Sequence, residues 1–127
     1  MRGEKCPFCN ISQDRIVAAG SNVFAIADEF PVAKGHTLVI PTRHVRSIFQ
    51  LETNQSVDLW EFVVKVRQLL ADKFKSDGFN IGTNDGDAAG QTVSHAHIHI
   101  IPRYKGDVED PRGGLRWIIP DKARYWQ

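Results

Sequence analysis

Three of the five histidines in this chain fall in one run, His95-Ala96-His97-Ile98-His99-Ile100-Ile101-Pro102. Imidazole changes charge closer to neutral pH than any other side chain. It can hold a metal, move a proton or attack an electrophile without a helper base. In an extended strand successive side chains point to opposite faces, so His95, His97 and His99 share one face at steps of about 6.6 Å. Ala96, Ile98 and Ile100 share the other face and read as core. Pro102 cannot donate to a sheet ladder and is expected to end the strand. A polar, solvent-facing strand side would explain one histidine, but not three in register opposite a clean apolar face. Two chemistries remain open: metal ligation through an H-x-H pair, and acid–base or nucleophilic work.

The only two cysteines, Cys6 and Cys9, are too close in sequence to staple distant parts of a fold. A thioredoxin-like C-x-x-C follows a strand and opens a helix. Only five residues precede Cys6, so half of a zinc site is the better reading of the pair.

These groups need a scaffold to bring them together. A length of 127 residues with 42% hydrophobic and 24% charged residues suits a single globular domain able to bury its own core. The formal charge of +1 includes no basic block, which removes electrostatic support for nucleic-acid binding. The absence of an 18-residue apolar run or a signal-like start predicts a soluble, cytoplasmic protein with no membrane partner. Ile16-Val17 and Val23–Ala27 read as strands around a Gly20-Ser21-Asn22 turn, with Asp28 closing the second. His36–Pro41 reads as a central strand, and Ser47–Leu51 as a short helical turn. Thr53 or Asn54 is expected to cap a long helix, whose Leu59, Val63, Val66, Leu70 and Phe74 form one stripe facing the sheet. Trp60, Phe62 and Leu69 widen its apolar surface. Ser76-Asp77-Gly78 should stop the helix, and residues 79–84 read as a further strand. The small-residue loop 85–92 then delivers the chain to the histidine run. The tail, 105–127, shows little periodicity. Its Trp117 and Trp126 suggest packing against the domain or a partner chain.

Phosphorus is a fitting target for such a site. A neutral imidazole attacking phosphorus gives a phosphohistidine-type intermediate and splits one hard displacement into two easier ones. The reaction needs an acceptor to fix the tautomer of the nucleophile, donors for phosphate oxygens, and help for the leaving group. The flanking histidines and the Gly90-Gln91-Thr92-Val93 run contain groups of those kinds.

The run His95–Ile101, with Gly90-Gln91-Thr92-Val93 before it and Pro102-Arg103 after it, resembles the H-φ-H-φ-H-φ-φ signature of the histidine-triad (HIT) family of nucleotide hydrolases and transferases. Cys6-Pro7-Phe8-Cys9, Phe24–Asp28 and Lys34–Pro41 extend the resemblance over about residues 6–104. It implies a compact α+β fold: an antiparallel sheet of about five strands, one long helix and a short one. It also implies a homodimer in which two sheets join and the long helices meet. The implied substrate is a purine nucleotide, a dinucleoside polyphosphate or a nucleoside phosphoramidate, cleaved at the α-phosphate to release a nucleoside monophosphate. By matching position, His97 is the nucleophile, His99 contacts phosphate and the leaving-group side, and His95 and His36 orient the nucleophile. Asp28 would hold ribose hydroxyls. Asn84, Gln91 and Thr92 would contact phosphate, and Phe24 and Ile26 would line the base pocket. Cys6, Cys9, His44 and His95 match the structural zinc set of some bacterial members. No organic cofactor is implied. The alternatives are a nucleotide-binding regulatory module with little turnover, and a metallohydrolase with catalytic zinc on His97 and His99.

Overall fold

The computed structural model describes residues 5–126. Five strands form one antiparallel sheet: β1 (Ile16–Gly20), β2 (Val23–Ala27), β3 (Thr37–Pro41), β4 (Gly78–Gly82) and β5 (Ile98–Arg103). Their spatial order is β1-β2-β3-β5-β4. The long helix α1 (Thr53–Phe74) joins β3 to β4, and a short helix α2 (Pro120–Ala123) lies in the tail. Asn22 takes the left-handed turn conformation (φ 63°) between β1 and β2, a backbone state that asparagine tolerates better than most residues.

The apolar alternation decides what lies on each side of the sheet. Leu59, Val63, Val66 and Leu70 of α1 are buried against Ala25, Val39, Ile98 and Ile100. Each such side chain is worth roughly 1.5–3 kcal/mol of burial. Phe62 joins them and Phe74 packs at their edge, whereas Trp60 and Leu69 stay exposed together with Val57 and Val64. The opposite face carries a smaller cluster, Ile26, Leu38 and Ile40, covered by Phe8, Ile11, Ile16 and Phe24. The histidines belong to this second face.

Several boundaries differ from the sequence expectation. β5 begins only at Ile98, because the Ala96 N–H bonds to the Val45 carbonyl (2.8 Å) instead of to a neighbouring strand. Pro102 lies inside β5, opposite Phe79, and does not end it. The pairing with β3 stops at Ile100, so the missing N–H of Pro102 forfeits no ladder bond. The cap of α1 is Glu52, in a reciprocal capping box with Gln55, and neither Thr53 nor Asn54 fills that role. Lys75, in the left-handed conformation, ends the helix, and Gly78 already opens β4. In the tail, a 3-10 turn (Gly114–Ile118) precedes α2, and Ala123 is buried.

Candidate active site

A cleft of about 430 Å³ opens on the face away from α1. His97 and His99 reach it from β5 and the residue before it, and Asn84, Gln91 and Thr92 reach it from the loop that precedes the histidine run. Ile26, Leu38 and Asp28 line it from β2, β3 and the turn after β2, and Phe8 lines it from the N-terminal segment. His36 and His95 lie behind this surface, both buried.

The backbone fixes the tautomer of each buried ring. His97 Nδ1 lies 2.9 Å from the His95 carbonyl, which can only accept. His97 therefore carries its proton on Nδ1 and keeps a lone pair on Nε2. The Thr83 hydroxyl donates to the His97 carbonyl (2.7 Å), and the Phe8 ring meets the imidazole edge-on at 5.0 Å. The Val32 N–H donates to His36 Nδ1 (3.1 Å), so His36 holds its proton on Nε2. That proton faces His99 Nδ1 at 3.0 Å and Asp28 Oδ2 at 3.3 Å. His99 thus accepts at Nδ1 and presents Nε2–H as a donor. Asp28 is itself braced, since its Oδ1 accepts from the Phe30 N–H (2.8 Å).

Burial favours the neutral form of His99 and His36. Burial is the largest influence on His99 and brings its pKa down from 6.5 to about 4, with the neighbouring His97 and His36 adding to the effect. Burial also lowers His36, against the opposing pull of the Asp28 carboxylate. The result is a nucleophilic lone pair on His97 beside a neutral N–H donor on His99, their rings 5.1 Å apart. Such a pair can attack an electrophilic phosphorus and hold one of its oxygens.

Residues 11–106 match the HIT domain family model. The chain belongs to the HIT family. It is 39% identical over 109 residues to Protein hit of Bacillus subtilis, covering 82% of this chain and 75% of that one. It is also 39% identical over 100 residues to the bis(5'-adenosyl)-triphosphatase of Dictyostelium discoideum, covering 79% of this chain and 67% of the relative. The crystal structure of a HIT family member from Bacillus subtilis superposes with a TM-score of 0.75 at 37% identity, over 82% of this chain and 77% of that one.

Within this HIT fold the cysteine pair meets two of the histidines. Cys6, Cys9, His44 and His95 bring one donor atom each to within 4.8 Å of one another. His95 Nδ1 lies 3.4 Å from Cys6 Sγ and 3.6 Å from Cys9 Sγ, and Cys9 Sγ lies 3.1 Å from His44 Nδ1. A tetrahedral zinc with its usual bond lengths separates sulfur from nitrogen by about 3.6 Å, so the donor set fits the ion with small adjustments. His95 also turns the correct nitrogen inward, because its Nε2–H is spent on the Pro41 carbonyl (2.8 Å), the outer-shell bond expected of a metal-binding histidine. No group of three metal-donor side chains among the described residues includes both His97 and His99. Asp28, His36 and His99 do cluster, but the inward His36 nitrogen carries a proton and offers the cluster no lone pair.

Two of the expected site residues are placed otherwise than the resemblance implied. Phe24 does not line the cleft. It joins Ile11, Ile16, Thr42 and His44 around a neighbouring hollow and packs in the second cluster, because its strand register, opposite Ile40, sets it on the same face but two residues along the strand from Ile26, which is the residue in line with Leu38 and His99. Gln91 borders the cleft, yet its amide is committed to the backbone. Its Oε1 accepts from the Gly86 N–H, and its Nε2 donates to the Arg46 and Val93 carbonyls. It braces the loop that carries Asn84 and Thr92. Sequence reasoning missed Phe8, whose position between the two cysteines was the available signal. It also missed the Val32 N–H, a backbone group with no signature in sequence.

Proposed function

We propose that this HIT protein is a nucleotide hydrolase that cleaves at an α-phosphate through a covalent histidyl-nucleotide intermediate on His97. The observation that carries the reading is the His97 tautomer. With Nδ1–H held by the His95 carbonyl, the Nε2 lone pair is the one available to the cleft. That lone pair forms a bond to phosphorus as the bond from phosphorus to the leaving group breaks, and the leaving group departs with the electron pair. His99 Nε2–H hydrogen-bonds the phosphate oxygens or the leaving atom. A water then attacks the same phosphorus, the P–N bond breaks with its electron pair returning to Nε2, a proton of that water goes to solvent, and a nucleoside monophosphate leaves with His97 restored. Asn84 and Thr92 supply donors near the phosphate, and Asp28 offers Oδ2 to ribose hydroxyls. The name of the Dictyostelium relative, a bis(5'-adenosyl)-triphosphatase, favours dinucleoside polyphosphates as substrates. A nucleotide leaving group also departs as a stable anion, which suits a site whose leaving-group side faces the neutral His99.

Cys6, Cys9, His44 and His95 would hold a structural zinc with all four positions filled by protein. The ion would pin the N-terminal segment, and with it Phe8, beside His97. The same reading includes a homodimer. Support for it comes from the open edge of β4, last in the sheet, and from the exposed Val57, Trp60 and Val64 on α1.

Brief exposure to diadenosine triphosphate followed by acid quench and mass analysis tests the intermediate. An adenylate adduct is expected on His97. His97→Ala should still bind nucleotide but lose turnover by at least the roughly thousandfold typical of a lost nucleophile. An adduct elsewhere, or turnover surviving the substitution, would overturn the mechanism. Equal loss of binding and turnover would instead give His97 a folding role.

A further inference from the structure

The cleft has an apolar floor, Ile26 and Leu38, whose row leads away from the histidines and continues past the cleft to Ile16. Cross-strand pairing sets Ile16 opposite Ile26, Ile26 opposite Leu38, and Leu38 opposite His99. The row crosses three strand spacings, about 14 Å. Its side chains share the face opposite α1, where Ile16, Ile26 and Leu38 form one apolar cluster. A nucleotide with its phosphate at His97 would lay sugar and base along this row. Two charged residues border the cleft with no task in the histidine chemistry, Arg15 and Glu29. Arg15 adjoins Ile16, at the end of the row farthest from His99. Glu29 leaves the end of β2, the strand paired with β1. Arg15 is the only fixed cation among the described residues of the cleft lining, and neither side chain makes a hydrogen bond or ion pair with a described residue.

We infer that Arg15 and Glu29 read the edge of the base and make this a site for 6-oxopurine nucleotides, guanine above adenine. The inference rests on the nucleotide reading of the cleft. A guanidinium offers two parallel N–H donors and no acceptor, and a carboxylate offers only acceptors. Guanine matches both: O6 and N7 accept on one edge, and N1–H and the 2-amino group donate on the next. Adenine presents its 6-amino donor where guanine has O6, so a donor of Arg15 would face another donor. At an exposed mouth the discrimination belongs at the low end for a bidentate base contact, about tenfold.

Calorimetric titration of the full-length protein with GMP and with AMP tests this. GMP is expected to bind about tenfold tighter. Arg15→Ala and Glu29→Gln should each bring the ratio close to one, and Arg15→Lys, which keeps the charge but loses the fork, should retain only part of the preference. Equal affinities, or tighter AMP, would overturn the inference. So would Arg15→Ala weakening both nucleotides alike, since that would put Arg15 on the phosphates. An adduct on His97 formed from adenosine and guanosine substrates at equal rates would sink the base preference alone. Failure to bind either nucleotide would sink the reading of the cleft and this inference with it.

Discussion

At the scale of single residues, the site is a set of imidazoles whose ring protons are placed by backbone atoms and by one another. The His95 carbonyl sets His97, the Val32 N–H sets His36, and His36 in turn sets His99. None of these partners is a charged residue. Neutrality has a cost that shows in acid. The folded pKa of His99, about 4, lies below its ordinary 6.5, and His36 moves the same way. Between those pH values the unfolded chain holds protons that the folded chain refuses. Stability is therefore full above about pH 6.5 and falls as the pH drops through that window. Urea unfolding should show a falling midpoint from pH 6.5 to 5, above the range where most carboxylates titrate. A midpoint flat across that interval would mean the two rings are not held neutral.

At the scale of elements, the N-terminal segment has few ways to stay in place. Its described residues form no strand; Phe8 and Ile11 pack at the edge of the smaller cluster, and Phe8 also meets the His95 and His97 rings edge-on. Its strongest tie would be the donor set of Cys6 and Cys9 with His44 and His95, which links the segment to the loop after β3 and to the approach to β5. A chelator should therefore lower the melting midpoint, on the order of 10 °C if the ion is held far above its Kd. Cys9→Ser, whose cysteine is exposed, should give the same shift without a chelator. Elemental analysis should find one zinc per chain. A midpoint indifferent to the chelator, with no zinc found, would leave the four residues as thiols and imidazoles in contact.

At the scale of the whole molecule, one sheet divides two tasks. The α1 face builds the main core, and the other face carries the chemistry. The proposed dimer would add a second copy beyond β4. Sedimentation equilibrium should give twice the mass of the chain, and Trp60→Glu with Val64→Glu should halve it, because each buries a charge in an apolar seam. A monomer at micromolar concentration would end that proposal. The sequence alone determined the strand order of apolar and polar positions, the stripe of α1 and the family. These are periodic or contiguous signals: Ile98 and Ile100 alternate with His97 and His99, and Leu59 to Leu70 repeat at helical steps. Tertiary structure alone decided that Phe8 lines the cleft while Phe24 lines the hollow beside it, which nitrogen of each histidine carries a proton, and that Gln91 braces a loop. The last two depend on carbonyls and N–H groups, among them those of Pro41, Val32, Arg46 and Gly86, which have the same chemistry whatever the residue. A backbone group leaves no mark in sequence, so its directing role appears only once the chain has folded.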